Sequence, residues 1–246
     1  CIRDRAEPAA GLARPSGSDL AVRLGSVDIW HAGATQPALA GISLSLRTGE
    51  TIAVVGPSGA GKSTLLSVIA GEIGPGQGHV EALPATLLTQ RSELFQDSLR
   101  DNLRLAAPAA DDVRLMAALV SAGLRADVEA LPAGLDSRVG ENGLGLSGGQ
   151  ARRLTLARLI LRDTPLWLLD EPTEGLDGAT ARDVMARLLA CAKDRREGRC
   201  VVFATHVRRE AEAADLLIVL ERGHVVCMAR RGEPAFKVAL AALRPD

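Results

Sequence analysis

The stretch GPSGAGKST, Gly56 to Thr64, has the residue types that hold a phosphate chain. It satisfies the pattern G-x-x-x-x-G-K-[ST]. It also follows a strand-like run, TIAVV, and opens a helical one, STLLSVIAG, which is the context such a loop requires. The loop Gly56, Pro57, Ser58, Gly59, Ala60 and Gly61 would surround the phosphates, its backbone N–H groups (all but Pro57, which has none) coming close because glycine has no Cβ to block the approach. The helix N-terminus adds its dipole. Lys62 is expected to reach the β- and γ-phosphates of a nucleotide, and the hydroxyl of Ser63, with Thr64 beside it, to ligate Mg²⁺.

A second set of residues fits the same chemistry. LWLLDEPT, Leu166 to Thr173, is an apolar strand ending in two acids. A buried strand delivers Asp170 to the C-terminal edge of a sheet, where ligands bind in open α/β folds, so Asp170 suits a Mg²⁺-organising carboxylate. By strand alternation Glu171 faces the other way and is placed to polarise an attacking water. Gln90 ends one strand-like run and His206 follows another, VVFAT; each could reach the same edge. His79 and His224 carry no assigned role.

Leu146-Ser147-Gly148-Gly149-Gln150 holds no acid, base or thiol, but it opens a helix with Leu154, Ala157 and Leu161 at helical spacing. Small residues at a helix start suit an anion. Since Gly56–Thr64 already supplies one cradle, the second needs another anion.

The elements that must position these groups follow from the apolar pattern. LAVRL, VDIW, ISLSL, TIAVV, HVEAL and ATLLT read as strands, the last ending at Gln90. From about Ser92 to Leu161 the strand signal is replaced by helical stretches, DSLRDNLRL, DDVRLMAALVSAG and ARRLTLARLIL. LWLLD, CVVFAT, DLLIVL and HVVCM are strands again, with helices between the first three. This alternation predicts an α/β fold with a parallel-sheet core. The expected organisation is a linker over 1–18, rich in Pro, Ala, Gly and Ser; a domain over 19–229 with an all-helical insertion over about 92–161; and a tail helix over 230–246.

With three Phe, two Trp and no Tyr in a chain that is 47% hydrophobic, the core must be aliphatic. A net charge of −1 gives no footprint for nucleic acid, and the pairs Arg152/Arg153, Arg195/Arg196, Arg208/Arg209 and Arg230/Arg231 read as solvated faces. Cys1, Cys191, Cys200 and Cys227 have no metal-ligand spacing, and the last three read as small hydrophobes in a reducing compartment. No apolar run approaches the ~18 residues of a membrane helix, and there is no signal peptide. The chain opens on Cys1, which reads as a piece of a longer polypeptide whose remainder holds any membrane-spanning part.

The P-loop, Gln90, LSGGQ, LLDEP, Gly175-Leu176-Asp177 and His206 occur in the order that defines the ATP-binding cassette (ABC) family, which the chain resembles from about Asp19 to Met228. The resemblance implies an ABC-type ATPase fold with an N-terminal antiparallel β part and a helical signature subdomain. It also implies ATP and Mg²⁺ as cofactors, with Ser63, Gln90 and Asp170 on the metal. Glu171, His206 and Gln90 would be the catalytic groups, and Asp177 would sit in the D-loop. Two cassettes would pair head to tail, each signature capping the partner's ATP, so the second anion is a γ-phosphate from the partner.

LLTQRSELFQDSLRDNLRLAAPAADD (Leu87 to Asp112) and LLDEPTEGLD (Leu168 to Asp177) resemble the CydC-like branch of thiol exporters. ALPAGLDSRVGENG (Ala130 to Gly143) is typical of exporter cassettes in general. That branch implies a CydD-like partner, a site at the cytoplasmic face of a bacterial inner membrane, and export of cysteine and glutathione for cytochrome bd assembly. A lipid or peptide exporter is the alternative within the class. A soluble ABC ATPase acting on ribosomes or DNA is disfavoured by a single cassette with no coiled-coil insertion, and a non-hydrolysing cassette by the presence of Glu171 and His206. The family stacks adenine on an aromatic, often Tyr, ahead of the P-loop; here Trp30 or His31 stands in that register. Glu174-Gly175 replaces the Ser-Ala of many relatives.

Overall fold

The structure, a computed structural model, describes residues 12–15, 19–90, 94–140, 145–194 and 198–245. Most of the expected linker, Cys1, Ser92, residues 141–144 ahead of the signature and the Arg195/Arg196 pair lie outside the described residues. The chain divides into two compact units.

One unit takes the described residues through Leu87, then Thr164–Glu171, and the chain from Ala192 onward. Its three-stranded sheet has the order β2-β1-β4, with β1 (Leu20–Ile29) antiparallel to both β2 (Leu39–Arg47) and β4 (Gln77–Ala82). LAVRL and VDIW are therefore one strand. The register shifts between Leu24 and Val27, and Ser26 there has φ of 48°, so a bulge at Gly25-Ser26 joins the two runs.

The six-stranded sheet has the order β5-β6-β7-β3-β8-β9. The strands are β5 (Ala85–Leu88), β6 (Leu166–Asp170), β7 (Cys200–Thr205), β3 (Thr51–Val55), β8 (Leu216–Glu221) and β9 (His224–Arg230). The pairs β6–β7, β7–β3 and β3–β8 are parallel, and β9 closes the edge antiparallel to β8. Every residue of β3 and β7 is buried. Parallel strands covered on both faces need continuous apolar runs, and TIAVV and CVVFAT provide them.

The core is largely aliphatic; its buried aromatics are Trp167, Phe203 and Phe236, the first two being the largest fully buried side chains. The guanidinium of Arg199 lies 4.5 Å from the centroid of the Trp167 ring, a cation–π contact. Among the described residues no cysteine is in a disulfide, and burial pushes the Cys200 thiol up, so it is an inert core group.

The other unit comprises Leu88–Asp163 and Pro172–Cys191. It is helical: α2 (Leu99–Arg104), α3 (Asp112–Ser121), α4 (Arg125–Glu129), a 3₁₀ turn at Gly134–Asp136, α5 (Gly148–Leu161) and most of α6 (Gly178–Lys193). Ser98 and Asp111 start α2 and α3 as side-chain N-caps, accepting from the N–H groups of Asp101 and Arg114. Helix α4 and the 3₁₀ turn are too short to show a periodicity. The reading of Arg152/Arg153 as a solvated face is corrected here: Arg152 and Arg158 are buried within α5, and Arg153 is largely covered. Among the described residues no helix is long and apolar enough to cross a membrane.

The fully buried Phe203 and the exposed Val226, 54% accessible, offer a test of this core. Phe203→Ala is expected to cost about 3–5 kcal/mol in urea unfolding, whereas Val226→Ala should stay within about 0.5 kcal/mol. Equal losses would mean that β7 is not interior.

Candidate functional site

In the sheet-bearing unit the phosphate loop joins β3 to α1 (Lys62–Ile69). Gly56 has φ of 150°, and a β-carbon there would lie 2.1 Å from the carbonyl oxygen of Leu220. Gly61, with φ of 103°, is the N-cap of α1 and brings no side chain to the helix start. The first-turn N–H groups thus face the loop without a side-chain cap, as an anion site needs.

Lys62 is buried, and its ammonium donates to the carbonyl oxygens of Gly56 (2.9 Å) and Pro57 (3.0 Å), so the loop holds its own cation. Burial lowers its pKa, opposed by the nearby carboxylates of Glu171 and Asp170. The charge is thus kept poorly solvated until a polyanion arrives.

The register of the parallel strands sets out the acids. Asp170, the last residue of β6, pairs with Ala204 of β7, and Val55 of β3 pairs with Thr205. Glu171 does not turn away by strand alternation. It has left β6 and takes a left-handed φ of 48°, with its N–H still donating to the Ala204 carbonyl (3.1 Å). A non-glycine residue in that region is uncommon and marks a constrained position. The turn brings Glu171 Oε1 within 3.1 Å of His206 Nδ1, although the two are far apart in sequence.

His206 itself sits on a braced loop. The Thr205 hydroxyl donates to the buried Glu210 carboxylate (2.6 Å) and accepts from the Val207 N–H (3.0 Å). The Arg208 N–H, at the start of α7 (Arg208–Ala211), donates to the Arg244 carbonyl (2.8 Å), just beyond α8 (Pro234–Ala241). Neither Glu210 nor Arg244 carries any motif signal.

The two candidates for adenine differ in placement. His31 Nε2 lies 3.4 Å from the hydroxyl of Thr64 on α1. The six-membered ring of Trp30 lies over Gly76, where a β-carbon would come within 3.0 Å of it.

In the helical unit Gln90 is exposed, two residues beyond the end of β5. The signature residues Leu146 to Gln150 run into α5, and Ser147 is its N-cap. Ser147 Oγ accepts from the Gln150 N–H (3.2 Å) while the Gln150 side-chain carbonyl accepts from the Ser147 N–H (2.8 Å), a capping box. Two of the N–H groups in the second cradle are thus used within the box. Those of Gly148 and Gly149 stand outside it, and the Ser147 hydroxyl proton is still free to donate. Asp127 of α4 fixes the box from behind, accepting from Gln150 Nε2 (2.6 Å) and from Arg153 Nη1 (3.0 Å). Asp177 caps α6, accepting from the N–H groups of Ala179 and Thr180 (both 3.0 Å), and the Thr180 hydroxyl holds its carboxyl below the usual range. Asp127 and Glu210 escaped the sequence reading, and Arg152 entered it only as a solvated residue. The one signal available was polar residues at interior positions of otherwise apolar stretches.

A model of the ABC transporter family matches residues 39–174, more than half of the 246 residues. The chain is 40% identical over 206 residues to the glutathione/L-cysteine transport system ATP-binding/permease protein CydC of Escherichia coli, covering 78% of this chain and 35% of that protein. It is 37% identical over 238 residues to the ATP-dependent lipid A-core flippase of Burkholderia orbicola, covering 92% of this chain and 40% of the flippase. Its fold is similar to that of a bacterial Atm1-family ABC exporter with ATP bound, with a TM-score of 0.81 at 25% identity over 96% of this chain and 45% of that one. The chain belongs to the ABC transporter family, as one of its ATP-hydrolysing ATP-binding domains. It spans less than half the length of these relatives.

The lowered pKa of Lys62 has a consequence for stability. Below the folded-state pKa the cost of the buried ammonium is present in full. As pH rises towards the unfolded value of 10.5 the folded chain loses this proton first, so stability rises. Urea unfolding at several alkaline pH values should show this rise in the parent and not in Lys62→Met. Parallel pH dependences would mean that the ammonium is not desolvated.

Proposed function

We propose that this chain works as one half of a head-to-tail pair of ATP-hydrolysing cassettes and powers an exporter of cysteine or glutathione resembling CydC. The observation that carries the hydrolytic part is the Glu171–His206 contact of 3.1 Å at the ends of adjacent parallel strands. In this reading Lys62 and the N–H groups of Gly56–Thr64 bind the β- and γ-phosphates. Glu171 accepts the proton of the attacking water, and His206 orients Glu171 and the γ-phosphate. Ser63 and Asp170 offer only hard oxygen donors, which suits Mg²⁺, and Gln90 completes that set as a contact to the metal or the water. When bound, the ion would neutralise charge on the phosphoryl oxygens.

His31, by its contact with Thr64, is the better placed adenine platform, and Trp30 is held against Gly76. Ser147, Gly148 and Gly149 act on the partner's nucleotide, because the chain's own phosphates already have a cradle. Asp177 lies in the D-loop. The ATPase domain covers 19–229, its signature subdomain about 92–161, and 230–246 form the tail. The exporter would present this domain on the cytoplasmic side of a bacterial inner membrane.

Glu171→Gln keeps the shape of the side chain but cannot take a proton. ATP binding should persist, turnover should fall by roughly 10²–10⁴, and ATP should then trap a stable two-cassette particle visible by mass. Near-parental turnover would remove Glu171 from the mechanism.

The thiol assignment rests on the 40% identity to CydC and on 37% identity over 194 residues to the Bacillus subtilis protein CydD of the same printed function. The longer match to a lipid A-core flippase supports lipid as the second reading. Inverted membrane vesicles bearing the full exporter should take up labelled cysteine or glutathione with ATP, and Lys62→Ala should abolish it. Thiol uptake indifferent to Lys62→Ala, or lipid-stimulated ATPase with none stimulated by thiols, would overturn the thiol reading.

A further inference from the structure

Arg152 is an odd residue at its position. It lies on α5 only five residues after the signature serine, and its side chain is 8% exposed. A guanidinium withdrawn from water must find acceptors for its fixed fork of N–H donors. It finds main-chain carbonyls from two separate segments. Nε donates to the carbonyl of Pro172 (3.0 Å), and Nη1 donates to the carbonyl of Thr89 (2.9 Å) and more weakly to that of Gln90 (3.4 Å). Pro172 is the residue directly after Glu171 in the chain. Neighbouring Arg153 has a different task, since it donates to Gly123 and Asp127 and supports the capping box. The two arginines project about 100° apart around the helix, so one braces the signature and the other reaches the Thr89–Gln90 segment.

We infer that Arg152 is a positioning residue for Gln90. Its rigid fork ties the first turns of the signature helix to the backbone at Thr89–Gln90, with the Pro172 carbonyl as the fixed second anchor. A displacement of α5 when the signature engages nucleotide is thereby carried to Gln90. Lysine would keep the charge and lose the link, because a single ammonium cannot span both anchors in a planar fork. This inference rests on the proposed role of Gln90 at the metal or the water.

The test is a double-mutant cycle on the purified chain with Arg152→Lys, Gln90→Ala and the double variant. It reads kcat, KM for ATP, the half-saturating Mg²⁺ concentration, and binding of a fluorescent ATP analogue. Arg152→Lys should lower kcat by about tenfold to a hundredfold, the scale of a misplaced catalytic group. It should raise the half-saturating Mg²⁺ concentration and leave analogue binding and KM near parental values. The double variant should be no slower than Gln90→Ala alone. Multiplying losses would overturn the inference while leaving Gln90 its role. Parental turnover in Gln90→Ala would overturn both this inference and the role it rests on. Arg152→Gln serves as a second variant. If it and Arg152→Lys both lose analogue binding together with turnover, Arg152 merely supports the fold and the inference fails.

Discussion

The in-register parallel alignment of three buried strands is the constraint on which the site depends. Val55 pairs with Thr205, and Asp170 with Ala204, so β3, β6 and β7 end level with one another. Whatever follows those strands emerges at one edge: the phosphate loop after β3, Glu171 after β6 and His206 after β7. A slip of one residue in a parallel register would turn the side chains of that strand to the opposite face. The wholly buried sequences of β3 and β7 prevent such a slip, because every position is already committed to packing. Site geometry and core packing are therefore two consequences of one alignment.

On that edge Lys62, Glu171 and His206 are held by partners within the chain. Lys62 is buried against carbonyls of its own loop, and its desolvation outweighs the opposing attraction of the Glu171 and Asp170 carboxylates. Glu171 is held in a left-handed conformation, a local strain, with its N–H tied to Ala204 and its carboxylate to His206. His206 in turn is set by the Thr205–Glu210 bond beneath it. Lys62, Glu171 and His206 are thus each oriented by a neighbouring group of the chain, as a preorganised site requires.

The helical unit follows the same logic with a different device. The signature glycines carry no side chain to orient, so the local conformation is set by the capping box between Ser147 and Gln150 and by Asp127 behind it. Two arginines adjacent in sequence then serve separate surroundings, and each is held mostly by backbone carbonyls. Arginine suits this use because its fork engages two acceptors at once without losing charge.

The sequence by itself determined the family, the order of the motifs and the α/β class. Those rest on local chemistry: glycines that leave room for phosphates, apolar runs long enough to be buried strands, and a helix opened by Ser147-Gly148-Gly149. What only the tertiary structure decided were relations between residues distant along the chain. The turn of Glu171 towards His206 comes from the adjacency of β6 and β7, and strand alternation gave the wrong reason for its direction. LAVRL and VDIW read as two strands, and they form one with a bulge at Gly25-Ser26 because β2 and β4 continue the pairing on either side. Arg152 reads as solvated because charge predicts exposure, and it is buried because carbonyls of Thr89 and Pro172 replace water around it. Trp30 and His31 are neighbours in sequence, yet His31 comes within 3.4 Å of the Thr64 hydroxyl while Trp30 lies over Gly76. Residue type and spacing report what a side chain can do, whereas packing settles which neighbours it does it with.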